Sequence, residues 1–176
     1  HRENDRGIDW MAVTFAEIRN HLDKADCTLI ESELAYQNNI DYSVLPTGVV
    51  HADLFCDNAM FNGDVLTGII DLYYACNAPL LYDLAVMVND WCRIHSDNPE
   101  KIEFDQERLD EMISAYQTQR TLTDQEVAAW PAALRLAALR FFLSRLKDQH
   151  IPREGEMTQI KDPAVFRRVL NIHRNA

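Results

Sequence analysis

The stretch from residue 49 to residue 71 constrains the fold more strongly than any other part of this sequence. Short apolar runs with the character of strands end here in polar residues, and Asn62-Gly63-Asp64 separates two of the runs. An Asn-Gly pair between apolar runs is a strong signal for the turn of a β-hairpin. Three short strands are predicted, at residues 48–51, 60–61 and 65–70. The polar segments between and after them are predicted to be loops, at residues 52–58 and 73–79.

The flanking sequence has the periodicity of amphipathic helices, with apolar residues recurring every three or four positions. Asp26 is a candidate N-cap for the second of these helices. Thr123 and Glu126 have the spacing of a capping box and predict the start of a long helix or helix pair, which Pro131 is expected to kink or restart. A break is predicted at residues 97–99. Six helices are predicted in total, at about residues 9–22, 26–37, 81–94, 105–116, 123–149 and 163–172.

These elements predict a single domain over residues 1–176, long enough to bury a substantial core. The expected fold is α+β and predominantly helical, with a small antiparallel β-hairpin sheet that carries a polar loop. The composition, with 47% hydrophobic and 26% charged residues, is that of an ordinary soluble globular protein.

Charge and cysteine content exclude several classes of function. The net charge of −11 disfavours binding to nucleic acid or to an anionic membrane. No signal peptide is visible, so a disulfide framework has no supporting context. No apolar run approaches the roughly 20 residues of a membrane span, and we therefore expect a reduced, cytoplasmic protein. The cysteines form no CxxC pair, which makes a zinc site improbable. Cys56, within the predicted loop, has no role that we can assign. The four positions are Cys27, Cys56, Cys76 and Cys92.

The polar residues of the central stretch have the types and the order that phosphoryl transfer requires. Such a reaction needs a carboxylate that positions the acceptor hydroxyl, and oxygen ligands for a magnesium ion on the triphosphate. Asp53 is the candidate catalytic carboxylate. Asn58 and Asp71 are the candidate magnesium ligands, because a hairpin would fold Asp71 back beside Asn58. His51 is expected to fix the loop by bonding the backbone around Asp71, as in the catalytic loop of protein kinases.

Taken singly, each of these residues could be a polar residue that caps a loop, since Asp and Asn are frequent in turns. Other candidates lie further along the chain. Asp83 is expected to support the loop structurally from the start of a helix. Asp90 and Trp91 are tentative substrate-binding residues, with a place in the core as the alternative for Trp91. Arg140 and Arg145 interrupt an apolar helix, where a salt bridge or, for Arg140, a substrate carboxylate would explain them.

Three motifs of the central stretch resemble those of the aminoglycoside phosphotransferase and choline kinase superfamily. They are His51-Ala52-Asp53-Leu54-Phe55, Asp57-Asn58 and Gly68-Ile69-Ile70-Asp71. Later segments are most similar to the bacterial homoserine kinases of the phosphotransferase-like type. These segments are residues 73–77, 81–85, 89–92, 139–146 and 152–153. The resemblance covers the chain from about residue 10 onward.

The resemblance implies a protein-kinase-like C-terminal lobe that phosphorylates the side-chain hydroxyl of L-homoserine, a step in threonine biosynthesis. ATP is the implied co-substrate and Mg²⁺ the implied metal. Such enzymes also have an N-terminal lobe with a phosphate-covering loop and a Lys–Glu pair, and residues 1–48 lack that pattern. We therefore expect a fragment that is inactive alone, whose partners are a small-molecule substrate and its own N-terminal lobe. Exposed apolar surface could also lead to a homo-oligomer.

Two alternatives stay open at the level of the sequence. The first is a kinase for an aminoglycoside, choline or another small amine, since an acidic cleft would suit a cationic acceptor. The second is a non-catalytic helical binding or dimerisation domain with a kinase-like shape. The intact set of Asp53, Asn58 and Asp71 argues against the second alternative, because a domain without activity need not keep all three.

Overall fold

The computed structural model describes residues 1–94, 101–152 and 161–176. Within them the chain forms six α-helices and three two-stranded antiparallel sheets, which confirms the predicted α+β class. The helices are α1 (Ile8–Ile18), α2 (Lys24–Gln37), α3 (Leu81–Trp91), α4 (Gln106–Gln119), α5 (Asp124–His150) and α6 (Pro163–Asn175). The strands are β1 (Thr47–Val50), β2 (Ala59–Asn62), β3 (Val65–Ile69), β4 (Cys76–Pro79), β5 (Arg93–Ile94) and β6 (Glu103–Phe104).

Helix α5 is the centre of the core, with α1, α3 and α6 packed against it. Its side chains Leu139, Phe142 and Leu143 are almost completely buried, and each such burial stabilises the fold by about 1.5–3 kcal/mol. By length and composition alone α5 could cross a membrane, contrary to the sequence expectation. However, 56% of its apolar window is buried inside the structure, as in the core helix of a soluble protein.

The start of α5 is the predicted capping box. The backbone N–H of Glu126 donates to Thr123 Oγ1 at 3.2 Å, and the backbone N–H of Thr123 donates to Glu126 Oε2 at 2.9 Å. The predicted restart at Pro131 is wrong, since α5 continues through this residue as one helix. Burial of Ala132 and Ala133 directly after the proline holds the helix together despite the missing backbone donor.

Strand β4 is the largest departure from the predicted elements, because residues 73–79 were expected to be a loop. It pairs antiparallel with β1, with Gly48 opposite Ala78 and Val50 opposite Cys76. The Leu80 side chain packs closely against Gly48, since a Cβ on Gly48 would lie 2.8 Å from Leu80 Cδ2. Tertiary pairing therefore overrides the weak strand propensity of the Asn and Pro residues in β4. The pairing brings the loop that follows β1 and the turn that precedes β4 to the same end of the sheet.

Strands β2 and β3 form the predicted hairpin, with Gly63 in its turn at a φ of 60°. Its apolar side chains face outward, and Phe61 and Val65 are 51% and 65% exposed. The hairpin therefore presents a largely exposed apolar surface, in which the Phe61 ring packs edge-on against Trp91 with 6.2 Å between centroids.

Smaller corrections concern helix ends. Helix α2 is capped by Asp23, whose Oδ1 accepts from the backbone N–H of Asp26 at 2.7 Å, so the predicted cap at Asp26 is wrong. Helix α3 ends at Trp91 because the following residues pair as β5 with β6. The predicted break at residues 97–99 lies outside the described residues, as does residue 153.

A buried ionic cluster joins α2, α5 and α6. Glu33 is fully buried and accepts from Arg135 Nη2 at 2.6 Å and from Arg174 Nη1 at 3.1 Å. The Arg135 guanidinium also stacks on the Tyr36 ring, with 3.5 Å to the ring centroid. The buried carboxylate of Glu33 therefore connects α2 with α5 and α6 through its ion pairs.

Candidate active site

A cavity of about 240 Å³ opens between the loop that follows β1 and one face of α5. Asp53 and Asn58 line it from the loop, Asp71 from the end of the hairpin, and Arg140 from α5. The structure thus brings together three residues that the sequence predicted as neighbours and an arginine 87 positions away from Asp53.

Asp83 holds the start of the loop. It lies in the first turn of α3, where its carboxylate accepts from the backbone N–H groups of His51 at 2.6 Å and of Ala52 at 2.8 Å. Ala52 has a φ of 64°, a left-handed conformation that costs free energy for a residue with a Cβ. Burial raises the pKa of Asp83, and the two backbone donors act in the opposite direction. The carboxylate therefore stabilises a strained backbone exactly where the loop begins to turn toward the cavity.

His51 connects the two ends of the site. Its Nε2 lies 2.8 Å from the carbonyl oxygen of Ile70, and its Nδ1 accepts from the backbone N–H of Asp53 at 3.3 Å. Both bonds form when the proton is on Nε2. The residue after Ile70 is Asp71, which has a φ of 59°. The imidazole thereby ties the loop carrying Asp53 to the turn carrying Asp71.

Asn58 is fixed by its amide group. Its side-chain Nδ2 donates to the backbone carbonyl oxygen of Asp53 at 2.8 Å, and the backbone carbonyl oxygen of Asn58 accepts from the backbone N–H of Ile70 at 3.0 Å. Within the described residues, neither the Oδ1 of Asn58 nor the carboxylate of Asp71 has a hydrogen-bond donor. Two uncommitted oxygens on one cavity wall fit a magnesium ion, which takes one or two protein ligands and completes its shell with phosphate and water. The part of the chain that the structure describes has no cluster of three His, Cys, Asp or Glu side chains that could hold a metal unaided.

Asp53 and Arg140 form a loose ion pair. Arg140 Nη1 lies 3.4 Å from Asp53 Oδ1, longer than the 2.7–2.9 Å of a tight charge-assisted bond. Arg140 is only 4% exposed, and its Nε has no hydrogen-bond partner among the described residues. Burial raises the pKa of Asp53, with Arg140 opposing this effect and Asp71 adding to it. The cavity therefore contains a carboxylate more basic than one in water.

Asp90 and Trp91 are placed differently from the sequence expectation. Asp90 accepts from the backbone N–H of Cys56 at 2.9 Å and from Arg93 Nη2 at 2.8 Å, and Trp91 Nε1 donates to the carbonyl oxygen of Leu54 at 3.0 Å. Although burial alone would raise it, the pKa of Asp90 is lowered by these donors. Neither side chain is among the described residues that line the cavity. Their contacts hold the backbone of the loop.

Sequence reasoning missed several residues of the cavity wall. Arg6 and Lys161 come from opposite ends of the chain, and no local pattern marks either as part of a site. Arg145 and Asp148 share the α5 face with Arg140, a relation visible in the sequence once α5 is known to border the loop. Five Lys and Arg side chains but four Asp side chains line the cavity, in a chain with a net charge of −11. The wall can therefore accept anionic groups that the chain as a whole would repel.

A sequence profile of the phosphotransferase enzyme family matches residues 9–117, and the chain belongs to that family. The resemblance seen in the motifs around Asp53 is thereby confirmed.

Curated relatives are similar over nearly the whole chain. The chain is 45% identical to a homoserine kinase of Methylobacillus flagellatus, over 95% of this chain and 51% of the relative. It is 44% identical to a homoserine kinase of Methylobacillus glycogenes, over 92% of this chain and 49% of the relative. It is 41% identical to a homoserine kinase of Neisseria meningitidis serogroup B, over 96% of this chain and 53% of the relative. The chain spans about half the length of the curated relatives it matches.

Proposed function

We propose that this chain is the catalytic and acceptor-binding lobe of an ATP- and magnesium-dependent kinase that converts L-homoserine to O-phospho-L-homoserine for threonine biosynthesis in the cytoplasm. The observation that carries the proposal is a single cavity that combines Asp53, the uncommitted oxygens of Asn58 and Asp71, and the buried Arg140. Membership of the phosphotransferase enzyme family and the names of the relatives support it.

Asp53 is the group that acts on the acceptor. Its carboxylate accepts the hydrogen bond of the acceptor hydroxyl and takes the proton as the hydroxyl oxygen bonds to the γ-phosphorus. The bond between that phosphorus and the β–γ bridging oxygen breaks, and ADP leaves. Because burial raises the pKa of Asp53, it is a stronger base than an exposed carboxylate. Arg140 holds its orientation through the 3.4 Å contact.

Asn58 and Asp71 would hold the magnesium ion, which when bound neutralises charge on the triphosphate. His51 and Asp83 keep these oxygens and Asp53 at fixed positions on a strained loop. Removal of either positioning residue would therefore lower turnover without removing a group that touches substrate.

An N-terminal nucleotide lobe would complete the cleft in a longer protein. The relatives are about twice as long as this chain, and the apolar outer surface of the β2–β3 hairpin is suited to being covered. Left uncovered, the same surface would favour self-association of the chain.

The test is turnover by the longer protein in which this lobe and its nucleotide lobe are joined. With Mg²⁺ and ATP, we expect ADP release with L-homoserine, but not with choline or an aminoglycoside. The Asp53→Asn variant should lower kcat by about 10²–10⁴-fold, the usual contribution of general base catalysis. Asp9→Asn, at an exposed position of α1, is the matched control. Turnover with choline or an aminoglycoside in place of L-homoserine would overturn the assigned acceptor, and an unchanged kcat in Asp53→Asn would overturn the assigned base.

A further inference from the structure

Arg145 is a cation of the cavity wall that forms no ion pair with any described residue. It lies on α5, with its guanidinium 4.5 Å from the centroid of the Phe166 ring and Nη1 donating to the carbonyl oxygen of Asp162 at 2.9 Å. No carboxylate of the described residues lies within ion-pair distance of it. Burial lowers the pKa of Arg145 to about 10, with Arg93 acting in the same direction and the more distant Asp90 and Asp162 opposing it. A partly desolvated charge of this kind is costly until an anion reaches it.

Other cations of the same wall are already engaged. Arg6 is stacked on the Trp10 ring, 4.3 Å from its centroid, and Nη2 reaches the hydroxyl of Tyr74 at 3.3 Å. The remaining three are paired with carboxylates: Lys147 with Glu17 at 2.6 Å, Lys161 with Asp57 at 3.1 Å, and Arg140 with Asp53 at 3.4 Å. Arg6 and Arg145 are therefore the two cations of this wall without a carboxylate partner among the described residues, and Arg145 is the one that shares α5 with Arg140.

A second observation points to a ligand at the same place. The Nε of Arg140 is buried without a hydrogen-bond partner among the described residues, although the side chain is only 4% exposed. A buried donor that is left unpaired costs about 1–3 kcal/mol. Arg140 and Arg145 line one cavity from one helix. An acceptor with an anionic group could satisfy both, since no described residue bonds to the Nε of Arg140 or forms an ion pair with Arg145.

Asp148 supplies the opposite charge one helical turn from Arg145. It is exposed, lines the same cavity, and has no ion pair or hydrogen bond within the part of the chain that the structure describes. Residues at this i,i+3 spacing have Cβ atoms about 5–6 Å apart, yet no ion pair joins Arg145 and Asp148. An α-amino acid carries its ammonium and its carboxylate on one carbon, so it needs two opposite charges that are adjacent and unpaired.

We propose that Arg145 and Asp148 form a subsite for the zwitterionic end of the acceptor, in which Arg145 binds the α-carboxylate and Asp148 binds the α-ammonium. This inference rests on the proposed function and deepens it, because it states how the lobe would select an amino acid from other alcohols. Asp53 acts on the hydroxyl at the other end of the acceptor.

The test compares three acceptors in the longer protein with Mg²⁺ and ATP. L-homoserine carries both charges, 3-amino-1-propanol lacks the carboxylate, and 4-hydroxybutanoate lacks the ammonium. Each analogue is measured as a substrate and as a competitive inhibitor, so that a slow analogue still gives a binding constant. The variants are Arg145→Met, which keeps an apolar stem over Phe166, and Asp148→Asn. Arg19→Met, on the exposed pair with Glu31, is the control.

The two variants should have opposite selectivities. Arg145→Met should lower kcat/KM for L-homoserine about 100-fold, mainly through KM, and leave binding of 3-amino-1-propanol within about twofold. Asp148→Asn should lower kcat/KM for L-homoserine about 10-fold and leave 4-hydroxybutanoate unchanged. Arg145→Lys, which keeps the charge but loses the planar fork, should fall between the parent and Arg145→Met.

The outcomes separate this inference from the function on which it rests. Absence of turnover with L-homoserine in the unsubstituted protein overturns the proposed function and the subsite together. Turnover that Arg145→Met reduces equally for L-homoserine and 3-amino-1-propanol overturns the subsite alone, and assigns Arg145 to the structural contact with Asp162. If Arg145→Met lowers the urea midpoint, L-homoserine and 3-amino-1-propanol are compared in Arg145→Lys instead. An equal loss of kcat/KM for both acceptors in that variant again overturns the subsite.

Discussion

Replacement of His173 by Gln should remove an acid-sensitive contribution to the free energy of unfolding. His173 lies on α6, with its Nε2 2.7 Å from Oδ1 of Asn89 on α3. Asn89 is fully buried and its Nδ2 donates to the carbonyl oxygen of Leu134 on α5 at 2.9 Å. The Oδ1 of Asn89 is thus the acceptor, and the imidazole donates in its neutral form. The Phe104 ring, 5.2 Å away between centroids, covers the histidine.

The magnitude follows from the pKa of this imidazole. Burial, with a smaller contribution from Arg135, lowers the pKa of His173 from 6.5 to about 4. Below pH 6.5 the unfolded chain binds a proton that the folded chain rejects. The contribution of His173 to stability is therefore complete above pH 6.5, falls as the pH is lowered, and is lost once the pH passes below about 4. A shift of this size corresponds to about 3 kcal/mol.

The assay is urea unfolding of the parent chain and of His173→Gln between pH 7.5 and pH 4. Relative to the parent, the variant should gain about 3 kcal/mol in free energy of unfolding over this range. Carboxylates that titrate in the same range are present in both proteins and cancel in the difference. His21→Gln, at an exposed position, should give no such gain. Parallel pH curves for the parent and His173→Gln would refute the reasoning.

Three further substitutions test the framework around the site. Glu33→Ala leaves the half-buried Arg135 and Arg174 without their anion and should cost about 3 kcal/mol in urea unfolding, whereas Glu31→Ala at an exposed pair should cost less than about 1 kcal/mol. Equal costs would contradict the buried cluster. Thr123→Ala should lower stability by about 1 kcal/mol through loss of the α5 cap, with the exposed Thr118→Ala as control; an unchanged midpoint would argue against the cap. Asp83→Ala should lower the hydrogen-exchange protection of the His51 and Ala52 amides by at least about 10-fold, and should lower kcat in the longer protein. Retained protection would show that the loop holds its strained conformation without this carboxylate.

The part of the site that depends on local sequence could be predicted, because a hairpin necessarily returns its second strand to the start of its first. That geometry placed Asp71 beside Asn58 before any tertiary contact was known. Asp53 lies only five residues before Asn58, so the short loop keeps the two residues close together.

The opposite wall of the cavity could not be predicted in the same way. Which face of α5 meets the loop depends on the packing of α1, α3 and α6 around it, and no local pattern encodes that packing. The pairing of β4 with β1 was hidden for a related reason, since Asn77 and Pro79 have poor strand propensity and the partner strand supplies the stability. Asp90 and Trp91 were expected at the cavity because they follow Asp83 on α3, but they bond to the loop backbone from its other side.

The contact between Arg140 and Asp53 also has a consequence for the order of folding. It joins residues 87 positions apart in the chain, so it closes a large loop and forms only after α5 has docked on the rest of the core. The hairpin, by contrast, joins near neighbours and can form early. A nascent or partly unfolded chain would therefore carry all the side chains of the proposed site and yet have no assembled cavity.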